Sequence, residues 1–168
     1  QDSNIEYITG NYSNSKTLKK SLKNIKCVYH LIHQSEKSEL KNQSENNTES
    51  NIKDFINFLK ICENSSVSRI VFLSSAAVYG KQTTVCPVKE DTSHYPINNY
   101  GLTKSALEDH LNNFSYKTGI KQLIIRPSSV YGPSLNGKEN KDVISLIIKS
   151  IIDKKTFTIY GDGSATRD

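Results

Sequence analysis

The sequence predicts an α/β fold built on a parallel sheet with crossover helices, and three observations predict it. Short apolar, β-branched runs recur at residues 27–32, 69–73 and 122–125. Segments of helical period stand between and after them. The best-defined helical segment stops at a glycine, Gly119. Compact apolar runs bounded by Ser, Gly or charged residues read as strands buried on both faces, and strands alternating with helices build a parallel sheet.

In chain order, residues 5–8 predict a first short strand. Asn14 is suited to cap a helix that carries Leu18, Leu22 and Ile25 on one side. Residues 27–32 form the second strand. Residues 34–50 are polar and low in complexity, rich in Ser, Glu, Lys and Asn, and predict a loop. Helical period returns with Ile52, Phe55, Ile56, Leu59 and Cys62 and leads into the strand at residues 69–73. A loop holding Pro87 and Pro96 precedes a helix opened by Tyr100, with Leu107 and Leu111 on one side. Gly119 closes it, as a residue able to take positive φ can. Residues 122–125 predict a strand, residues 143–152 a helix, and residues 156–160 a final strand before the turn Gly161-Asp162-Gly163.

With 168 residues and 35% hydrophobic content the chain can hold one domain with a modest core. No apolar stretch approaches the ~20 residues a spanning helix needs, which argues against a membrane partner. Cys27, Cys62 and Cys86 are odd in number and lack metal-ligand spacing with His30, His33, His94 or His110. They predict reduced thiols, a cytoplasmic setting and no metal site. The formal charge of +5 comes from dispersed lysines, which argues against nucleic acid and suits an anionic small molecule. The chain has no Met and opens on Gln1-Asp2-Ser3-Asn4, so a piece of a longer protein is expected.

The chemistry gathers at Tyr100 and Lys104, four residues apart and therefore on one helix face. A cation there lowers a phenol's pKa from its usual value near 10 and equips it for proton transfer near neutrality. Tyr12 and Lys16 repeat the spacing, but no serine-bearing strand precedes them. Ser74 and Ser75 end the strand at residues 69–73, where open α/β sheets hold ligands, and a Ser75 hydroxyl could bond a substrate alcohol. A serine-rich strand exit beside an ordinary helix start is the alternative reading.

On that framework the chain resembles the extended short-chain dehydrogenase/reductase family, the NAD-dependent epimerase/dehydratases. The resemblance rests on six blocks in family order: Val28-Tyr29-His30-Leu31, Asn51-Ile52, Val71 through Gly80, Tyr100 through Lys104, Arg126-Pro127-Ser128-Ser129-Val130-Tyr131-Gly132-Pro133, and Gly161 through Asp168. It implies a Rossmann-like doubly wound parallel sheet, incomplete at the N-terminus because no Gly-rich phosphate turn precedes Ile5. Residues 1–134 would be a partial NAD(P)-binding domain and 135–168 the beginning of a substrate-binding domain. By resemblance, Tyr100 is the acid/base, Lys104 its electrostatic partner and nicotinamide-ribose ligand, and Ser75 the hydroxyl partner. Asn11, Leu31, Asn51, Ser74 and Ser128 join Tyr100 and Lys104 at cofactor-lining positions. Ser129 and Arg167, with Ser75, face the substrate. Asn51 as a helix cap, Ser128 and Ser129 as strand-exit serines and Arg167 as a surface charge stay open beside those roles.

The departures are Asn11 where the family has Asp, Ile32-His33 for a small pair, Asp54-Phe55 for Gly-Thr, and Ser129 for Asn. They bear on the tightness of cofactor binding. Ala76-Ala77 stand where the dehydratase branch carries Asp-Glu and the decarboxylating branch a second-position Glu. The resemblance therefore implies C4 epimerisation of a nucleotide sugar, a UDP-hexose, through a transient 4-keto sugar. NAD is the implied cofactor with NADP open, and a homodimer is open as well. The rivals are an NAD(P)-dependent reductase of a ketosugar or small ketone and a catalytically silent nucleotide-binding module.

Overall fold

The computed structural model describes residues 5–34, 44–80, 87–132, 142–159 and 161–164. They comprise α1 (Ser15–Ser21), β1 (Cys27–His30), α2 (Ser44–Glu63), β2 (Arg69–Leu73), a 3₁₀ turn (Ala76–Val78), α3 (Asn99–Thr118), β3 (Lys121–Ile125) and α4 (Val143–Ile152). The three strands form one parallel sheet in the order β1-β2-β3. This is the parallel sheet that alternating strands and helices predict, in the Rossmann-like form that the resemblance implies. The chain divides into two compact units, 1–126 and 127–168.

In the first unit, α1, α2 and α3 supply Leu18, Phe55, Phe58, Leu59, Ile61, Cys62, Leu107 and Leu111 to a core closed by Ile70 and Phe72 of β2. Register places His30 beside Phe72 and Phe72 beside Ile124, so this row of the sheet faces the helices. In the alternate row, Val71 at the centre is buried while Tyr29 and Leu123 on either side are exposed.

The expected signals at Asn14 and Gly119 act as read, and the structure adds a cap at Asn98. The Asn14 side chain accepts from the backbone N–H groups of Lys16 and Thr17 at 2.9 and 3.3 Å, and Asn98 does the same for Gly101 at 2.8 Å. Gly119 closes α3 at φ 73°, its N–H donating to Ser115 O at 2.9 Å.

Four expectations are corrected. Residues 5–8 form no strand; Ile5, Tyr7 and Ile8 are exposed, and among the described strands β1 pairs only with β2. A strand without a neighbour leaves its backbone groups to water. Residues 156–159 also form no strand, and Tyr160 lies outside the described residues. β1 ends at His30, leaving Leu31 and Ile32 exposed. The polar run expected as a loop is helical from Ser44 onward. Once Phe55 and Phe58 anchor α2, each added turn needs only propagation, not a new nucleus, and Thr103 Oγ1 of α3 lies 3.1 Å from Thr48 Oγ1. In the second unit α4 has the expected bounds and buries none of its residues. No described helix is long and apolar enough to cross a membrane.

His30 is 4% exposed. Its Nε2 lies 2.7 Å from the Tyr12 hydroxyl, and the rings of Phe55, Phe58 and Phe72 surround it. Burial, then the charge of Lys104, lowers its pKa to about 4. Because the folded value is depressed, the unfolded chain binds the extra proton between pH 6.5 and 4. Stability is therefore complete above about pH 6.5 and falls as pH drops toward 4, by about 3 kcal/mol at most. Denaturant unfolding across that range should show the loss, and His30→Phe should lack that component of the slope. Equal slopes in parent and variant would contradict it.

Candidate functional site

The site forms where β2 ends. Ser74 N–H donates to Ile125 O at 2.8 Å, extending the ladder one residue past the strand. Ser75 follows in extended conformation and caps the 3₁₀ turn, its Oγ accepting from Ala77 N–H at 3.1 Å. As the acceptor in that bond, the Ser75 hydroxyl keeps its own proton for another partner.

Tyr100 stands in the first turn of α3 and is 42% exposed. The next residue decides where that turn can go. A Cβ on Gly101 would lie 2.4 Å from the backbone oxygen of Ala77. Glycine alone lets α3 start this close to the turn that Ser75 caps. One turn further on, Lys104 is 3% exposed. Its Nζ donates to Leu73 O at 2.7 Å and sits 5.8 Å from the centre of the Tyr100 ring. Burial pushes the Lys104 ammonium down to about 8, with Glu108 acting in the opposite sense. Tyr12 and Lys16, the other pair at this spacing, are placed otherwise: the Tyr12 hydroxyl is spent on His30, and burial raises its pKa.

The expected cofactor residues divide. Asn51 is buried within α2 and is no cap; its Oδ1 accepts from Gln34 N–H at 3.0 Å and its Nδ2 donates to Gln34 O at 3.1 Å. It clamps the loop that leaves β1. Leu31, on that loop, is exposed. Asn11 is exposed and uses its Oδ1 to accept from Ser13 N–H at 2.8 Å. Ser74 is buried and donates its hydroxyl to Glu108 Oε1. Ser128 and Ser129 are exposed and belong to the second unit. Arg167 and Cys86 lie outside the described residues.

The sequence reading missed what braces this site. Glu108, 0% exposed, receives Arg126 Nε at 3.1 Å on each oxygen and Arg126 Nη2 at 2.6 Å on Oε2. Arg126 Nη1 reaches the Tyr79 hydroxyl at 2.7 Å and Glu90 O at 2.8 Å. His94 Nε2 lies 3.6 Å from Glu108 Oε2. One carboxylate thus ties the ends of β2 and β3 to α3. Two signals pointed to it: Glu108 stands four residues after Lys104, and Arg126 follows β3 as Ser74 follows β2. Asp54, one of the family departures, is also buried and accepts from Ser13 Oγ at 2.6 Å, which ties α2 to the turn before α1.

Hydroxyls at Ser75 and Tyr100 with a cation at Lys104 make a set able to move a proton to or from an alcohol. The Glu108 carboxylate is held by Ser74 and Arg126. The family profile described as NAD dependent epimerase/dehydratase matches residues 1–168. The chain belongs to the NAD-dependent epimerase/dehydratase family. It is 35% identical over 150 residues to a UDP-glucose 4-epimerase of Lactobacillus helveticus, covering 84% of this chain and 43% of that one. Among solved structures, it is 27% identical to a UDP-glucuronic acid 4-epimerase from Bacillus cereus in complex with UDP-glucuronic acid and NAD. That match has a TM-score of 0.78 and covers 99% of this chain and 52% of that one. It is 28% identical to a UDP-N-acetylglucosamine 4-epimerase from Methanobrevibacter ruminantium in complex with UDP-N-acetylmuramic acid, with a TM-score of 0.76, covering 90% and 49%. The chain spans about half the length of each of these three proteins.

NAD is the cofactor of this epimerase/dehydratase family. The donor set fits it: hydroxyls and an ammonium at the C-terminal ends of parallel strands are the chemistry that bonds ribose hydroxyls and a carboxamide.

Proposed function

We propose that the protein carrying this chain is a nucleotide-sugar 4-epimerase acting on a UDP-hexose. The observation that carries the reading is Ser75 followed by Ala76 and Ala77 in the 3₁₀ turn. Ala77 offers its backbone N–H to Ser75, and neither alanine provides the carboxylate that elimination of water would use as a second acid or base. Tyr100, Ser75 and Lys104 then form the reacting set. Tyr100 accepts the proton of the sugar 4-hydroxyl and returns it after the 4-keto sugar has presented its other face. Ser75 donates a hydrogen bond to the same oxygen. Lys104, fixed by Leu73 O, supplies the positive charge beside the phenol. Bound NAD would supply the reversible hydride acceptor. The 4-epimerases among the relatives support the reaction class; Ser129 and Arg167 are proposed to meet the nucleotide sugar, and Ser128 the cofactor.

The test is to incubate the intact natural protein with NAD and, separately, UDP-glucose, UDP-galactose, their N-acetyl forms and UDP-glucuronate, and to resolve the products by configuration. The expected result is C4 interconversion of at least one pair with no net NADH. Accumulation of a 4-keto-6-deoxy sugar would replace this reading with dehydration. Stoichiometric NADH consumption on ketosugars would replace it with reduction, and nucleotide binding without turnover would leave a silent module.

A further inference from the structure

His33 belongs to one of the departures that the resemblance marks, Ile32-His33 in place of a small pair. Its ring meets that of Tyr100 edge to face, with centres 4.8 Å apart and planes at 86°. This is the separation and angle at which aromatic rings attract through their opposed edge and face charges. The loop carrying His33 is short and held at both ends. Before it, His30 is paired with Phe72 in the sheet. After it, Gln34 is gripped through both N–H and C=O by Asn51. The imidazole is half-buried, and its Nδ1 is enclosed with no hydrogen-bond partner among the described residues. Burial, then the charge of Lys104, lowers its pKa from the ordinary histidine value, which disfavours the charged ring. A buried ring nitrogen without a partner costs stability, and packing against Tyr100 is the contact that sets the imidazole there.

We propose that His33 is a positioning residue that fixes the orientation of the Tyr100 phenol, through a ring contact delivered by a loop pinned at both ends. The inference rests on the reading of Tyr100 as the acid/base. It adds that the Tyr100 rotamer is set from β1, not by α3 alone. A half-exposed tyrosine in a first helical turn has more than one staggered χ1 open to it, and reaction rates are steep in the placement of the reacting atoms.

The experiment compares the intact natural protein with His33→Ala, which removes the ring, and His33→Phe, which keeps a ring without nitrogens. His33→Leu replaces the alanine variant should that one not fold. The first readout needs no turnover. Three-bond couplings in protein with β-carbon-labelled tyrosine report χ1 of Tyr100, assigned by the resonance lost in Tyr100→Phe. One rotamer is expected in the parent and in His33→Phe, and averaged couplings in the ringless variant. A parent-like coupling in the ringless variant overturns the proposal. The second readout is kinetic: the ringless variant should lose about tenfold in kcat with little change in KM for the nucleotide sugar, and His33→Phe should restore it. An unchanged kcat in the ringless variant, or an equal loss in His33→Phe, overturns the proposal. If Tyr100→Phe itself retains turnover, the acid/base reading falls, and the couplings still decide whether His33 positions the ring.

Discussion

Tyr100→Phe in the intact protein is expected to lower kcat by ~10²–10⁴-fold, the range a positioned general acid/base contributes, while nucleotide binding stays close to that of the parent. The substitution removes one oxygen and keeps the ring that meets His33, so the helix start and the cofactor side should be unchanged. Because the lost interaction acts in the transition state, kcat and kcat/KM should fall together. Lys104→Ala should differ in kind. Lys104 Nζ bonds Leu73 O and lies beside the Tyr100 ring, so its removal should weaken both binding and rate. Steady-state kinetics and calorimetric titration with NAD check the pair of expectations. Near-normal turnover in Tyr100→Phe would take that residue out of the mechanism.

Glu108→Ala is expected to be the most destabilising single change at the site, by about 3–5 kcal/mol, as when one partner of a buried ion pair is removed. Two effects add. The Arg126 guanidinium loses the carboxylate that receives three of its N–H contacts, and the buried Ser74 hydroxyl loses its acceptor. Against a typical total of roughly 5–15 kcal/mol, that loss takes much of the folding free energy. Denaturant unfolding gives the measurement, and a double-mutant cycle with Arg126→Ala isolates the pair. A loss below about 1 kcal/mol, the level of an exposed pair, would show that the network adds little. Glu108→Gln keeps the shape and removes the charge. Since Glu108 opposes the downward shift at Lys104, that variant should move the lysine still lower, and titration of the Lys104 Nζ resonance would show it.

Much of the frame was legible because it is local. β2, β3, α3 and α4 follow from apolar period, and the end of α3 from Gly119. The shared helix face of Tyr100 and Lys104 follows from their spacing. Failures of the reading had physical causes too. Residues 5–8 have the composition of a strand, but composition does not supply the neighbouring strand. The polar run before Asn51 has the composition of a loop, and from Ser44 it joins a helix already anchored by its phenylalanines. The cap kept open as the alternative reading of Asn51 is not what the structure has, since that amide clamps a loop from within α2.

By itself the sequence determined the alternation of strands and helices, the family, and the presence of Ser75 at the exit of one strand with Tyr100 and Lys104 on the helix that follows. These depend on contacts within one helical turn or one strand repeat, which periodicity records directly. Only the tertiary structure decided what surrounds them. Ser74 and Glu108 are 34 residues apart and Glu108 and Arg126 are 18 apart. They meet because Leu73 pairs with Ile125 and because Gly101 admits α3 to the backbone of Ala77. The contact of His33 with Tyr100 likewise depends on where β1 releases its loop. Such meetings are set by sheet register and helix approach, which no short-range pattern encodes, and they bring a buried carboxylate to Ser74 and Arg126 and the His33 ring to that of Tyr100.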